Sequence, residues 1–414
     1  MKWRLWSFVV GAMLMCTVGV LSAFCGGVSA MDSRDVDSIV AGNNCFTFDL
    51  YSQLAREDGN LFFSPYSISS ALAMTYAGAR GETAEQMARV LHFTLDHDKL
   101  HPAFSGLTGT FNADGTSGRE YQLSVANSLW GQVGYPFLPA FLDVTNKWYR
   151  AGFNEVDYTV DENREQARQT INKWVEARTG EKIKDLIQPD DLSVLTRLVL
   201  TNAIYFKGKW KTQFNSKDTT TMPFHVKAGL KVDVPMMHQE GRFNYAEDDR
   251  VQVLEMPYAG GELAMMILLP KPGHELAELE STLSDQELRS WASRLSQETV
   301  EVFLPRFKLE RRFVLNEQLQ SLGMTDAFDE MAADFSGMAP GRDLYISAVI
   351  HKSFVDVNEE GTEAAAATAV VMSGKSLSAQ ELSIFRADRP FVFFIRDLRS
   401  GCILFVGRLV DPRS

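Results

Sequence analysis

Cysteine is scarce in this chain of 414 residues: there are four, and Cys16 and Cys25 fall within the first thirty positions. The two that remain, Cys45 and Cys402, cannot make a disulfide framework. They could pair with each other, but two buried thiols are the simpler expectation. Positive charge is not in excess, with 41 Lys and Arg against 53 Asp and Glu and a formal charge of −12. That excludes the basic footprint of a nucleic-acid binder, and no run of like charge is long enough to serve as an interaction tail. No Asn-x-Ser/Thr sequon occurs, so N-glycosylation is not expected. A Gly-x-Ser-x-Gly elbow, a His-Glu-x-x-His pair and a phosphate-binding glycine loop are all missing, which leaves a hydrolase without a nucleophile motif. The nearest approach to a metal site is His92, His97 and His101 with Asp96 and Asp98. A helix would bring His97 and His101 to one face, but a polar, solvated helix end or loop accounts for the stretch, and no metal or other cofactor is expected.

The first thirty residues stand apart. Lys2 and Arg4 precede an uncharged apolar stretch over 5–30, Val28-Ser29-Ala30 offers small residues for cleavage, and the first acid is Asp32. This is the layout of a secretory signal peptide, 1–30, cut after Ala30; an uncleaved anchor is the alternative, since the stretch could span a bilayer. Phe24 before Cys25 and Met15 before Cys16 are too bulky for lipid attachment. The mature chain, 31–414, is therefore expected to be secreted or periplasmic. It has no Pro/Gly/Ser-rich linker and no internal repeat, and reads as a single domain.

Helical periodicity is clear over 46–56, 68–79, 83–93 and 164–179, with Ser67 and Glu82-Thr83 as start signals. From about residue 195 the pattern turns to short β-type runs, as at 198–206, 263–269, 300–304 and 391–395. Helices early and strands late give a mixed α+β domain, not alternating βαβ units.

Five stretches carry a resemblance. Residues 62–83 read FFSPYSISSALAMTYAGARGET, 200–210 LTNAIYFKGKW, 322–338 LGMTDAFDEMAADFSGM, 357–377 VNEEGTEAAAATAVVMSGKSL, and 387–412 ADRPFVFFIRDLRSGCILFVGRLVDP. Each is similar to a motif of the serpin family, and they follow the family's order and spacing, so that the likeness covers residues 37 to 412. The resemblance, to the inhibitory type, implies an α+β fold of three β-sheets and about nine helices with an exposed reactive-centre loop, here about 359–385. It implies a serine endopeptidase as partner, attacking the loop as substrate. The cleaved loop then enters the main sheet as an extra strand before the acyl-enzyme hydrolyses, and the protease is trapped. Loop insertion of this kind is a known instance of strand addition.

Without that resemblance, Ala364-Ala365-Ala366-Ala367 signals a surface helix. As a strand, the same segment presents Thr362, Ala364, Ala366, Thr368, Val370 and Met372 on one face, uncharged and mostly small, and leaves Glu363 to water. Such a face can be buried in an existing sheet without overpacking. About ten paired residues at roughly 1 kcal/mol net per hydrogen bond give on the order of ten kcal/mol, comparable with a domain's whole stability. Gly361 supplies backbone freedom where the loop bends into the sheet. The hinge is thus Glu359, Glu360, Gly361, Thr362, Glu363, Ala364, Ala365, Ala366, Ala367 and Thr368, and its even-numbered face from Thr362 onward lacks the bulky or charged residues of serpins that have lost inhibition. Counting on in family register puts the reactive bond between Lys375 and Ser376. Lys375 is the single basic residue between Lys352 and Arg386, which suits a trypsin-like protease with a carboxylate in its specificity pocket. Cutting at Met372 or Leu377 is the alternative.

The resemblance further assigns Ser64, Ser67, Asn202 and His351 to a cluster that holds the main sheet shut, and Trp210 to the point where the loop first enters. Short side chains that donate and accept can fasten two strands and exchange partners as they part. Ser67 could instead cap a helix beginning at Ile68, and Trp210 could be a core aromatic. Lys207, Lys209 and Lys211, and Arg306, Lys308, Arg311 and Arg312, alternate with apolar residues as a strand with one solvated face does; Lys99 stands without a basic cluster around it. No polysaccharide cofactor is expected, and the chain reads as a monomer and not an enzyme. The alternatives are a non-inhibitory serpin acting as protease substrate, carrier or chaperone, and, more remotely, a hydrolase.

Overall fold

A computed structural model describes residues 33–111, 120–149, 153–362 and 382–413. Residues 1–30, expected to be a signal peptide, and Glu363 to Thr368, Lys375 and Ser376 lie outside the described residues.

The chain enters on α1 (Ser33–Leu54), which buries Ile39, Asn43, Phe46, Leu50 and Leu54 at three- and four-residue steps. After β1 (Leu61–Phe63) comes α2 (Pro65–Tyr76), all twelve of whose residues are buried. It carries no charge and several small residues, as a helix enclosed on every side requires. The Ser64 hydroxyl accepts the Ser67 N–H at 3.2 Å and Pro65 occupies the first turn. The helix therefore starts earlier than expected and its cap is Ser64; Ser67 lies inside it. There follow α3 (Gly81–Leu91), α4 (His97–Phe111), β2 (Tyr121–Gln132), α5 (Pro139–Tyr149), β3 (Phe153–Val156) and α6 (Asp161–Arg178). The strand-rich part holds β4 (Leu198–Lys209), β5 (Thr220–Lys227), β6 (Leu230–Glu247), β7 (Val251–Pro257) and β8 (Leu263–Pro270). Next come α7 (Leu276–Thr282), α8 (Asp285–Arg294), β9 (Ser296–Pro305), β10 (Phe307–Val314) and α9 (Asn316–Ser321). The last strands are β11 (Ala348–Val357), β12 (Gly361–Thr362), β13 (Ser383–Arg386), β14 (Phe391–Asp397) and β15 (Ile403–Leu409). The described residues thus hold nine α-helices.

Hydrogen-bonded pairing gives two continuous sheets. The smaller has the order β10-β11-β12-β4-β2-β3, the larger β1-β15-β14-β8-β7-β6-β9-β13, with β5 also on β6. The long β6 serves both halves of the larger sheet: Leu230 to Met236 pair with β5, Met236 to Tyr245 with β9, and Asn244 to Glu247 with β7. Dividing it there recovers the three expected sheets. One face of the smaller sheet lies under α6, where Ala167, Ile171 and Val175 meet Trp130, Val199, Ala203 and Ile350. Its other face packs on α2 and against the C-terminal hairpin β14–β15, where Phe206 of β4 meets Phe405 at 5.9 Å and Phe307 of β10 meets Phe393 at 5.4 Å. The site lies in this smaller sheet.

Three local expectations fail for physical reasons. Cys402 is buried, but Cys45 is exposed on α1 and both thiols are free; position 45 falls outside the helix's buried stripe. His97 and His101 lie at a helix end, as one of the two expected readings had it, since they open α4, but the end is not fully solvated. His101 is buried, its Nδ1 2.6 Å from the Tyr149 hydroxyl, while the His97 ring stacks on Tyr76 at 4.3 Å. Burial and the neighbouring His97 push the His101 pKa down to about 4. The basic residues of β10 do more than face water: Arg311 Nε donates to Asn60 O at 2.9 Å, Arg312 Nε to Leu186 O at 2.7 Å, and Lys308 Nζ lies 4.9 Å from the Phe354 ring centre.

Candidate functional site

β4 and β11 run side by side in parallel from Val199 and Ala348 to Tyr205 and Phe354. Beyond that point they part, and β12 sits between them, antiparallel to both: Thr362 pairs with Val357 on one side and Gly208 on the other. Gly361 and Thr362, read from the sequence as the bend and the first inward residue of a hinge, are thus already strand residues of the sheet.

A tight turn brings them there. Asn358 N–H donates to Gly361 O at 2.9 Å and Gly361 N–H back to Asn358 O at 3.2 Å. Gly361 has φ +154°, and a Cβ on it would stand 2.0 Å from Gly208 O. Its need for glycine is therefore close approach of two backbones more than a bend. Gly208 is restricted likewise, since a Cβ there would meet Phe206 at 2.7 Å. Trp210 is a core aromatic stacked on Tyr258 (4.7 Å, 11°), and its Nε1 donates to Asn358 O at 3.0 Å in the turn before β12. Its backbone N–H donates to Glu360 O at 2.8 Å, and Phe214 N–H to Glu359 O at 2.9 Å. Thr362 is fully buried with Oγ1 2.9 Å from the Tyr258 hydroxyl. Glu359, nearly buried, accepts from Arg306 Nε at 2.7 Å and from Thr219 Oγ1. Burial works to raise its pKa, but Arg306 and Thr219 outweigh burial and hold it below the ordinary value.

Lower down, His351 of β11 stands directly opposite Asn202 of β4, and both are fully buried. Ser64 N–H donates to His351 Nε2 at 3.1 Å, so the proton sits on Nδ1, which donates to Asn202 Oδ1. Asn202 Nδ2 donates in turn to Ser67 Oγ at 2.6 Å and to Asn127 Oδ1. Ser67 Oγ donates to Asn127 Oδ1 and Asn127 Nδ2 to Ser67 O, each at 3.2 Å, while Ser64 Oγ donates to Leu404 O at 2.6 Å. Ser64, Ser67, Asn202 and His351 are thereby brought into one network across α2, β4 and β11. Burial drives the His351 pKa down to about 3, so the ring is neutral.

Asn127, Tyr258, Gly208 and Thr219 were not singled out from the sequence, and Arg306 was read there only as part of a basic, solvated strand face, whereas it binds Glu359. Asn127 faces Asn202 across β2 and β4, but only the pairing register reveals it. Gly208 lies inside the quoted LTNAIYFKGKW, where two lysines drew the attention.

The family profile described as Serpin (serine protease inhibitor) matches residues 41–412. The human leukocyte elastase inhibitor is 43% identical over 387 residues, covering 91% of this chain and all of that protein. Among solved structures, uncleaved ovalbumin aligns with a TM-score of 0.83 at 33% identity, over 91% of this chain and 100% of its own. Human thyroxine-binding globulin aligns with a TM-score of 0.83 at 30% identity, over 91% of this chain and 99% of its own.

Proposed function

This chain belongs to the serpin family, and on that premise we propose that it inhibits a trypsin-like serine endopeptidase as a suicide substrate. The protease's serine oxygen attacks the Lys375 carbonyl, an ester forms, and the Ser376 amine leaves with a proton. The loop then continues β12 down between β11 and β4 before water can cleave the ester. The observation that carries the reading is Gly361 and Thr362 seated between those strands, antiparallel to both. The even-numbered face from Thr362 onward, small and uncharged, is in keeping with it, as is the name of the elastase-inhibiting relative. The same reading takes 1–30 as a cleaved export signal, 31–414 as one domain, and the network around His351 as the lock that parts when the strand enters. A carrier is the second reading, favoured by the likeness to a protein named for binding thyroxine.

The test is incubation of the mature protein with trypsin. An SDS-resistant complex is expected, with Lys375→Phe shifting trapping toward a chymotrypsin-like enzyme. Thr362→Arg would put a guanidinium where a buried residue sits and should be clipped at Lys375 without trapping. Clipping without complex by the wild type would sink the inhibitor reading in favour of the second.

A further inference from the structure

We propose that Tyr258 is a positioning residue of the trapping reaction: its hydroxyl holds Thr362 on the first rung of the sheet and so sets how often a cleaved loop inserts in time. The proposal rests on the inhibitor reading above. Tyr258 is fully buried and cannot swing away. Its ring stacks on Trp210, meets the edge of Phe206 at 5.0 Å, and its backbone bridges Trp210 and donates to Leu263 O at 2.9 Å. The single polar atom of that side chain points at Thr362 Oγ1, 2.9 Å away. The backbone of Thr362 pairs with Gly208 on one side and Val357 on the other, and the two buried hydroxyls are hydrogen-bond partners of each other. Were β12 to leave the sheet, Thr362 would take its hydroxyl into water and the bond would be lost. It belongs to the seated hinge alone, and only an interaction made in one state shifts an equilibrium. The other ties, from Trp210 and Phe214 to the carbonyls of Asn358, Glu359 and Glu360, hold the turn before the strand. The Tyr258 bond is the side-chain tie on the first residue that a growing strand must keep in register.

After cleavage, insertion competes with hydrolysis of the ester. A hinge that must first re-enter loses part of that race. One hydrogen bond of about 1 kcal/mol corresponds to about fivefold in the seated fraction. With trypsin, Tyr258→Phe, which keeps the ring, and Thr362→Val, which keeps the volume, should each raise the ratio of clipped to trapped inhibitor about fivefold. The double variant should add little to either, Thr362→Ser should stay near wild type, and the rate of first cleavage should not move. Amide exchange over 357–362 in the uncleaved chain should quicken in both single variants. An unchanged ratio, or additive effects in the double variant, would overturn the proposal. A wild type that traps nothing would overturn the inhibitor reading instead, and exchange over 357–362 would then decide the bond: faster in both variants if Tyr258 holds the hinge, unchanged if it does not.

Discussion

At the entrance to the β4–β11 junction the hinge is held by separate ties: the side chains of Trp210 and Tyr258, the backbone amides of Trp210 and Phe214, and Arg306, whose side chain is 44% exposed. Lower down, the same two strands are fastened by Ser64, Ser67, Asn127, Asn202 and His351, all buried and all bonded to one another. Independent ties fail one at a time, each worth about 1 kcal/mol, whereas a satisfied buried network resists until several bonds go together. The sheet is thus easy to enter and hard to open, and a strand can occupy the entrance while the lock still holds.

Breaking the lock should have the largest effect. Asn202→Ala removes the acceptor of His351 Nδ1–H and the donor to Ser67 and Asn127, leaving buried groups unpaired. Stability should fall by roughly 4 kcal/mol, read as a lower urea midpoint; a loss below about 1 kcal/mol would erase the contrast with the entrance. Acid should act on the lock more than on the hinge turn, where Glu359, held below its ordinary value, gives up a smaller contribution as pH falls below that value. His351 is neutral and buried, with its folded pKa of about 3 below the ordinary 6.5, so its contribution is complete above the ordinary value and is lost as pH falls toward 3. Between pH 7 and 4 this amounts to roughly 3 kcal/mol. His351→Gln should flatten the pH dependence of unfolding by that amount, and an equally steep curve would place the acid sensitivity elsewhere, His101 first. The smallest effect is expected at the entrance. Glu359→Gln keeps a hydrogen-bond acceptor for Arg306 and Thr219 but loses the charge, and with Arg306 well exposed the loss should be about 1 kcal/mol or less. A fall as large as that of Asn202→Ala would mean that the two regions do not differ in kind.

The sequence made the lock more legible than its surroundings. Ser64, Ser67, Asn202 and His351 sit in stretches long enough to carry a family pattern, and hydrogen bonds join them in the interior, while Trp210, from one of the same stretches, stands apart at the entrance. Asn127 belongs to the same network but lies in β2, whose alternation says which residues share a face and not which strand lies beside it. Tyr258 and Arg306 reach the hinge from β-strands of the other sheet or its border, and nothing local announces a partner more than fifty residues away. The histidines of α4 look solvated because polar residues usually are; Tyr149, distant in the chain, closes over His101 and makes it interior, while Tyr76 covers one face of the half-buried His97. The lysines of LTNAIYFKGKW hid a glycine whose importance is the backbone that touches it.

The parallel run of β4 against β11 carries one more consequence. Seven residue pairs, from Ala348–Val199 to Phe354–Tyr205, are joined with both chains pointing the same way, while β10 and β2 on their outer edges run antiparallel to them. Parallel pairing is the slightly weaker of the two per residue. The centre of the sheet is therefore a thermodynamically poorer seam than the pairings on either side of it. A strand that extends β12 in its present direction would exchange that seam for two antiparallel ones, so the direction of β12 alone biases the sheet toward accepting a guest.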